Sequence, residues 1–260
     1  MVAMTGVPKI DGILECAALT DQGEVRNRNE DSVSVSAENG LLIVSDGMGG
    51  RNAGATASRL VVEWLPAVLE KTSASAPRSD SETQLEAIND ALVNLSRQVL
   101  DFSRGRPGLA GMGATVVVAL FRGKQALIGH MGDSRAYLYR DHKLRLLTDD
   151  DSVVGILLRQ GEITQEQIAD HPARGLLSRY VGMEGETRAS THALDLVSGD
   201  LLLLCSDGLT GEVPDHQIAT ILDRYSDLDK LCSALIKAAK DASAPDNVTT
   251  AVARWREING

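Results

Sequence analysis

The chain has 260 residues, 43% of them hydrophobic, which suffices for one large or two small domains with a real core and excludes a disordered chain. A formal charge of −10 argues against a nucleic-acid binder, which needs a basic surface to neutralise backbone phosphates, though it leaves room for a locally positive cleft. Three widely spaced cysteines, Cys16, Cys205 and Cys232, read as buried thiols in a reducing compartment. They do not read as a disulfide framework.

The first sixteen residues, MVAMTGVPKIDGILEC, have no basic start followed by an apolar stretch. No run approaches the roughly eighteen apolar residues of a membrane span. The expectation is a cytoplasmic protein.

In chain order, short apolar or alternating runs predict strands at 14–19, 32–36 and 41–45. Helical periodicity follows over about 53–71 and 82–103, with Ser81 and Gln84 placed as a capping box and residues 73–80 as the joining loop. Further strands are predicted at 115–121, 126–130, 135–139 and 144–147. Turn signals a few residues long separate several of these, too short for a parallel crossover, so the pairs are antiparallel hairpins.

Residues 152–188 stand apart, because short helical pieces are broken by Gly161, Pro172, Gly175, Gly182 and Gly185. They predict a mobile insertion or flap. Strands at 191–196, 201–205 and 248–254 and helices near 214–224 and 228–242 complete the chain. Two pairs of helices around a strand-rich middle predict an α+β layered domain, 1–260, with no linker and no fixed repeat.

The chemistry gathers at strand ends. Two buried runs end alike, Ser45-Asp46-Gly47 and Ser206-Asp207-Gly208, and glycine after aspartate lets the backbone turn sharply and approach a ligand. Taken singly, such a pair is far more often a plain turn, and the duplication lowers the weight of that reading without removing it. Asp133 ends the run 126–131, Asp246 precedes the last strand, and Glu30 and Asp31 precede the second. Carboxylates converging on one sheet edge repel unless cations sit between them, and oxygen donors without His or Cys favour Mg²⁺ or Mn²⁺ over zinc. Two such ions sharing a water make a phosphomonoesterase.

The motifs at 20–23 (TDQG), 26–31 (RNRNED), 45–50 (SDGMGG), 111–113 (GMG), 132–137 (GDSRAY), 147–148 (LT), 206–209 (SDGL) and 246–249 (DNVT) occur in one order. With them the chain resembles the bacterial protein phosphatase 2C, or PPM, family over about 14–255. The resemblance implies a four-layer αββα sandwich, two antiparallel sheets flanked by helix pairs, with a metal cleft at one end. It implies hydrolysis of phosphoserine and phosphothreonine in proteins with two or three Mn²⁺ or Mg²⁺ ions.

Asp46 is then the bridging carboxylate, Gly47 a backbone-carbonyl ligand, and Asp207 and Asp246 the remaining ligands. Asp133 with Asp207 matches a third, weaker metal position. Asp31 resembles an acid that holds metal-bound water, with Glu30 and Asp21 as supports, and Arg26 matches the arginine that grips the substrate phosphate.

Two departures concern the proton donor. Many relatives carry His where this chain has Arg51, and many carry His where it has Asp151, so the general acid is open. None of the five histidines lies in a metal motif, and His130 and His171 read as structural. The implied partners are phosphorylated proteins and a cognate Ser/Thr kinase; the chain is read as a monomer. The rival classes are a regulatory phosphoprotein-binding module that has lost catalysis and a small-molecule phosphoesterase; the intact acids speak against the first.

Overall fold

The computed structural model describes residues 10–49, 53–74, 81–168 and 170–258. The amino-terminal half contains β1 (Ile13–Asp21), β2 (Asp31–Ser36), β3 (Leu41–Met48), α1 (Ala53–Ala74), α2 (Ser81–Ser103), β4 (Gly113–Ala114), β5 (Val116–Arg122) and β6 (Gln125–Met131). There follow β7 (Arg135–Arg140), β8 (Lys143–Leu146), α3 (Val153–Arg159), β9 (Ser190–Asp195), β10 (Leu201–Cys205), α4 (Asp207–Thr210), α5 (Asp215–Arg224), α6 (Leu228–Asp241) and β11 (Val248–Arg256). Most of the loop expected at 73–80 lies outside the described residues.

The strands form two antiparallel sheets. One runs β1-β11-β10-β7-β8 and the other β2-β3-β5-β6-β9, with the short β4 paired to the end of β3. Alternate side chains of a strand face opposite sides, and here both sides are covered. Leu41 and Ile43 face α1 and α2, while Leu42 and Val44 face the other sheet. In β10, Leu201, Leu203 and Cys205 face α5 and α6, while Leu202 and Leu204 face inward. Strands buried on two sides read as unbroken apolar runs rather than alternation, as these do.

The outer layers follow from helical spacing. In α6, Leu228, Leu231, Cys232, Leu235, Ile236 and Ala239 are buried, steps of three and one that trace one face of a helix. The result is the expected four layers: helices, sheet, sheet, helices. No helix among the described residues is long and apolar enough to cross a membrane.

Segment 152–188 is tied down at several points. Ser152 caps α3 by accepting from Gly155 N–H at 3.1 Å. Ser152 bridges to Leu177, and Val181 bridges to Ala114. Gly182 N–H donates to Ser96 Oγ of α2 at 3.0 Å.

Candidate metal centre

The register of β2 on β3 sets Asp31 opposite Asp46. Thr115 fixes the end of β3 from the other side: its N–H donates to Asp46 O at 2.8 Å, its hydroxyl accepts from Asp46 N–H at 2.9 Å, and its carbonyl accepts from Ser45 Oγ at 2.6 Å. Gly47 is required by space. A Cβ there would stand 2.1 Å from Gly54 O at the start of α1, so helix and strand meet backbone to backbone.

The second Ser-Asp-Gly is built differently. Asp46 and Gly47 remain in strand, held by β4, whereas Asp207 opens the short helix α4 with Ser206 as its cap residue. Gly208 again meets backbone, its would-be Cβ lying 2.0 Å from Asn247 O. In both copies the glycine admits a neighbouring element of the chain itself.

Asp31 joins the two sheets. Its Oδ2 accepts from Ser206 Oγ at 2.7 Å and from Thr249 Oγ1 at 2.6 Å, and Thr249 Oγ1 is hydrogen-bonded in turn to Thr20 Oγ1 at 2.7 Å. Asp246 precedes β11, where Arg26 Nη2 donates to its Oδ2 at 2.7 Å. Next to it, Asn247 pins the loop that carries Arg26. Its Nδ2 donates to Gln22 O and Arg28 O, both at 2.8 Å, and its Oδ1 accepts from Glu30 N–H at 2.8 Å.

Asp133 lies in the turn between β6 and β7, after Gly132 with φ +110°. Arg135 beside it clamps Asp150 through two hydrogen bonds of 2.8 Å. These residues line a cavity of about 730 Å³ with Asp133, Asp207, Asp215 and Arg174. A second cavity of about 670 Å³, between the end of α2 and residues 180–184, holds none of these acids.

Residues 24–253 match the protein phosphatase 2C family model. The chain belongs to the protein phosphatase 2C family. It is 36% identical to the serine/threonine phosphatase stp of Listeria monocytogenes serotype 4b, over 88% of this chain and 91% of that one. It is 38% identical to the Mycobacterium tuberculosis serine/threonine protein phosphatase PstP, over 93% of this chain and 45% of that one. The crystal structure of the PstP catalytic domain in complex with two manganese ions superposes with a TM-score of 0.77 at 36% identity, covering 94% of this chain and 98% of that one.

With the chain's own charges alone, the acids of this phosphatase 2C domain disfavour one another. Burial first, then Asp31, Asp207, Asp133 and Asp246, hold Asp46 well above the ordinary carboxylate range. Burial and then the Asp207 charge push Asp133 up to about 8. Burial raises Asp31 to about 6 against the lowering effect of its two hydroxyl partners. Asp207 is raised by burial and then by Asp246. Like charges 4 Å apart repel by roughly 4 kcal/mol at an effective dielectric of about 20.

Asp31 Oδ1 and Asp207 Oδ1 are buried without a hydrogen-bond partner. Oxygen donors, mutual repulsion and two orphaned carboxylate oxygens fit hard divalent cations. The acids are neighbours but are not drawn around one point: among the described residues no three His, Cys, Asp or Glu side chains form a cation-sized set, and Asp246 is turned to Arg26.

Of the sequence-predicted residues, Asp31, Asp133, Asp207 and Asp246 all act electrostatically on Asp46. The charges of Asp46 and Glu30 act on Arg26 together with that of Asp246. Asp21 faces elsewhere, accepting from Gly23 N–H at 2.9 Å and from Lys240 Nζ at 3.2 Å. Arg51 lies outside the described residues.

Asp151 is 2% exposed and paired with Arg179, so it is not placed to give a proton to a substrate in the cleft. His130 is buried with Nε2 2.8 Å from Asp149 O, and His171 Nδ1 accepts from Ala173 N–H at 3.1 Å. Both are occupied locally. Sequence reading did not single out Thr115, Asn247 or Gly54. Asn247 lay inside the DNVT motif, but an uncharged side chain between two loops distant in sequence gives no pattern of its own.

Proposed function

We propose that this phosphatase hydrolyses phosphoserine and phosphothreonine in proteins with Mn²⁺ or Mg²⁺ held by Asp46, the Gly47 carbonyl, Asp207 and Asp246, and with Asp133 and Asp207 holding a third ion. The observation that carries the reading is that Asp31, Asp133, Asp207 and Asp246 all act electrostatically on Asp46, with orphaned buried oxygens on Asp31 and Asp207, where the ends of two facing sheets meet. Divalent cations bound there supply a water of lowered pKa and offset the charge of the phosphoryl oxygens.

The chain's own residues do the rest. Arg26, 54% exposed on a loop pinned by Asn247, offers a planar fork of donors to the substrate phosphate. Asp31, anchored through Oδ2, keeps Oδ1 free to accept a hydrogen bond from water, with Glu30 beside it. Asp151, His130 and His171 are each occupied locally, and the leaving oxygen takes its proton from water. The substrates are proteins phosphorylated by a cognate Ser/Thr kinase in the cytoplasm, and the whole chain works as one domain with 152–188 as its flap.

The test is phosphate release from a phosphothreonine peptide with Mn²⁺, with and without chelator, for the wild type and Asp207→Ala. Turnover is expected to vanish in chelator and to fall roughly a hundredfold or more in the variant, the scale of losing one charge-stabilising group. Activity that persists in excess chelator contradicts the mechanism. Hydrolysis of small phosphoesters alone points to a small-molecule enzyme, and tight phosphopeptide binding without turnover to a regulatory module.

A further inference from the structure

The last turn of α6 and the stretch that follows it hold the loop that carries Arg26. Lys240 Nζ donates to Asp21 Oδ1 at 3.2 Å and lies 3.1 Å from Glu24 Oε1. Beyond it the backbone leaves its ordinary range: Ser243 has φ +111° and Ala244 φ +31°, values that L residues hold only where the surroundings enforce them. Their effect is to aim a carbonyl. Ala244, buried in one cluster with Leu235 and Ala239 of α6, accepts from Glu24 N–H at 3.0 Å.

Gly23 lets the loop lie this close, with φ +76° and a would-be Cβ only 2.1 Å from Asp246 O and 2.8 Å from Ala244 O. The other stem of the loop, Arg28 and Glu30, hangs on Asn247. Between the stems residues 24–28 are exposed, and the Arg26 carbonyl accepts from Gln22 Nε2 at 2.6 Å. With its side chain 54% exposed, Arg26 takes its place chiefly from those stems.

We propose that residues 240–247 form a rigid cradle for the Arg26 loop and that Lys240 is a positioning residue within it, setting the affinity for a substrate's phosphoryl group through Arg26 without touching that group. The proposal rests on the reading of Arg26 as the phosphate-binding residue. A guanidinium grips phosphate through a fixed fork of donors, so its strength depends on where the loop puts it. A stem released from Lys240 lets the fork wander. The strained pair Ser243 and Ala244 belongs to the same device, since backbone strain is kept where it serves a site.

The test uses the full chain loaded with Mn²⁺, with inorganic phosphate as a competitive inhibitor of phosphothreonine-peptide hydrolysis. Mn²⁺ affinity is read by calorimetric titration and the looseness of the loop by amide exchange at Glu24. The proteins are the wild type, Lys240→Met, Lys240→Arg, Arg26→Ala and the double variant Arg26→Ala with Lys240→Met. Lys240→Met is expected to speed exchange at Glu24 and to raise the phosphate Ki and the peptide KM roughly two- to fivefold, the scale of a partly exposed ion pair, with Mn²⁺ affinity unchanged. Lys240→Arg, which keeps the charge, is expected to recover most of the loss. Arg26→Ala is expected to raise the Ki further, and adding Lys240→Met to it to change nothing more, because a residue that acts through Arg26 has no effect once Arg26 is gone.

A phosphate Ki unmoved by Lys240→Met while Arg26→Ala raises it overturns the proposal. So does a loss that persists undiminished in the double variant, which makes Lys240 a direct partner of the phosphate, or Mn²⁺ affinity that falls in step with phosphate affinity, which marks a merely structural role. If Arg26→Ala itself leaves the Ki unchanged, the reading of Arg26 fails and the proposal falls with it.

Discussion

At the scale of single residues, the acid cluster makes the chain's stability depend on pH in a direction opposite to that of paired surface carboxylates. Asp133 and Asp31 titrate at about 8 and about 6 in the fold, against about 3.9 in an unfolded chain. Between those values the folded form binds more protons, so stability falls as pH rises. The contribution is complete below about pH 4 and is lost as pH climbs through 6 and then 8; Asp46 and Asp207 act with the same sign. In excess chelator the Tm is therefore expected to be higher at pH 5.5 than at pH 8.5, and Asp133→Asn should remove the upper part of that change. Saturating Mn²⁺ should reverse the order, because cations take the place of the protons. A Tm that rises with pH in chelator contradicts this account.

Asp46 and Asp207 were legible because the sequence repeats its strand-Ser-Asp-Gly ending, whereas Asp246 entered through the family resemblance. Asp151 and Asn247 gained their meaning only when loops far apart in sequence were brought together. Asp151 has the more unexpected place: it stands where the family resemblance implied His, and it is a buried partner of Arg179.

At the scale of elements, the strands and helices were readable because apolar runs and a three-and-one spacing record burial directly. The role of the glycines was not, since a sequence cannot say which backbone will press against them. Beside letting the backbone approach a ligand, Gly47 and Gly208 press against the chain itself, at would-be Cβ distances of 2.1 Å from Gly54 O and 2.0 Å from Asn247 O. Neither carbonyl is the movable end of a side chain, so an added methyl must push α1 from β3, or α4 from the Asn247 loop. Forcing atoms into such contacts costs about 1–3 kcal/mol or more, and for a chain of this size each kilocalorie lowers Tm by about 2–4 °C. Gly47→Ala and Gly208→Ala are expected to melt about 2–12 °C lower, with Mn²⁺ affinity reduced because the strand ends shift. Gly108→Ala, with nothing within 4 Å of the added carbon, should melt within about 1 °C of the wild type, as surface changes do. Equal melting of all three would remove the backbone-contact explanation.

At the scale of the whole molecule, the candidate metal centre depends on the two sheets facing each other, because the five gathered acids come from both. The core between the sheets is equally shared: Leu42, Val44, Val117 and Ala119 come from one, and Leu138, Leu202, Leu204 and Trp255 from the other. Neither sheet keeps a covered inner face alone, so separation exposes both at once, and the chain should unfold as one cooperative unit. Its two tryptophans test this, since Trp255 is buried between the sheets while Trp64 packs edge-on against Phe102 in the outer helical layer, ring centres 5.6 Å apart. Trp64→Phe keeps an aromatic ring at that contact, and Trp255→Phe removes an indole N–H that is buried without a partner, so each single-tryptophan variant should fold. Their fluorescence melts are expected to coincide with each other and with the calorimetric transition, and Leu204→Ala, a cavity costing about 2–5 kcal/mol, should move both reporters together. Melts that separate, with the helical layer outlasting the sheet interface, would divide the chain into two units and leave the metal centre as a junction between them.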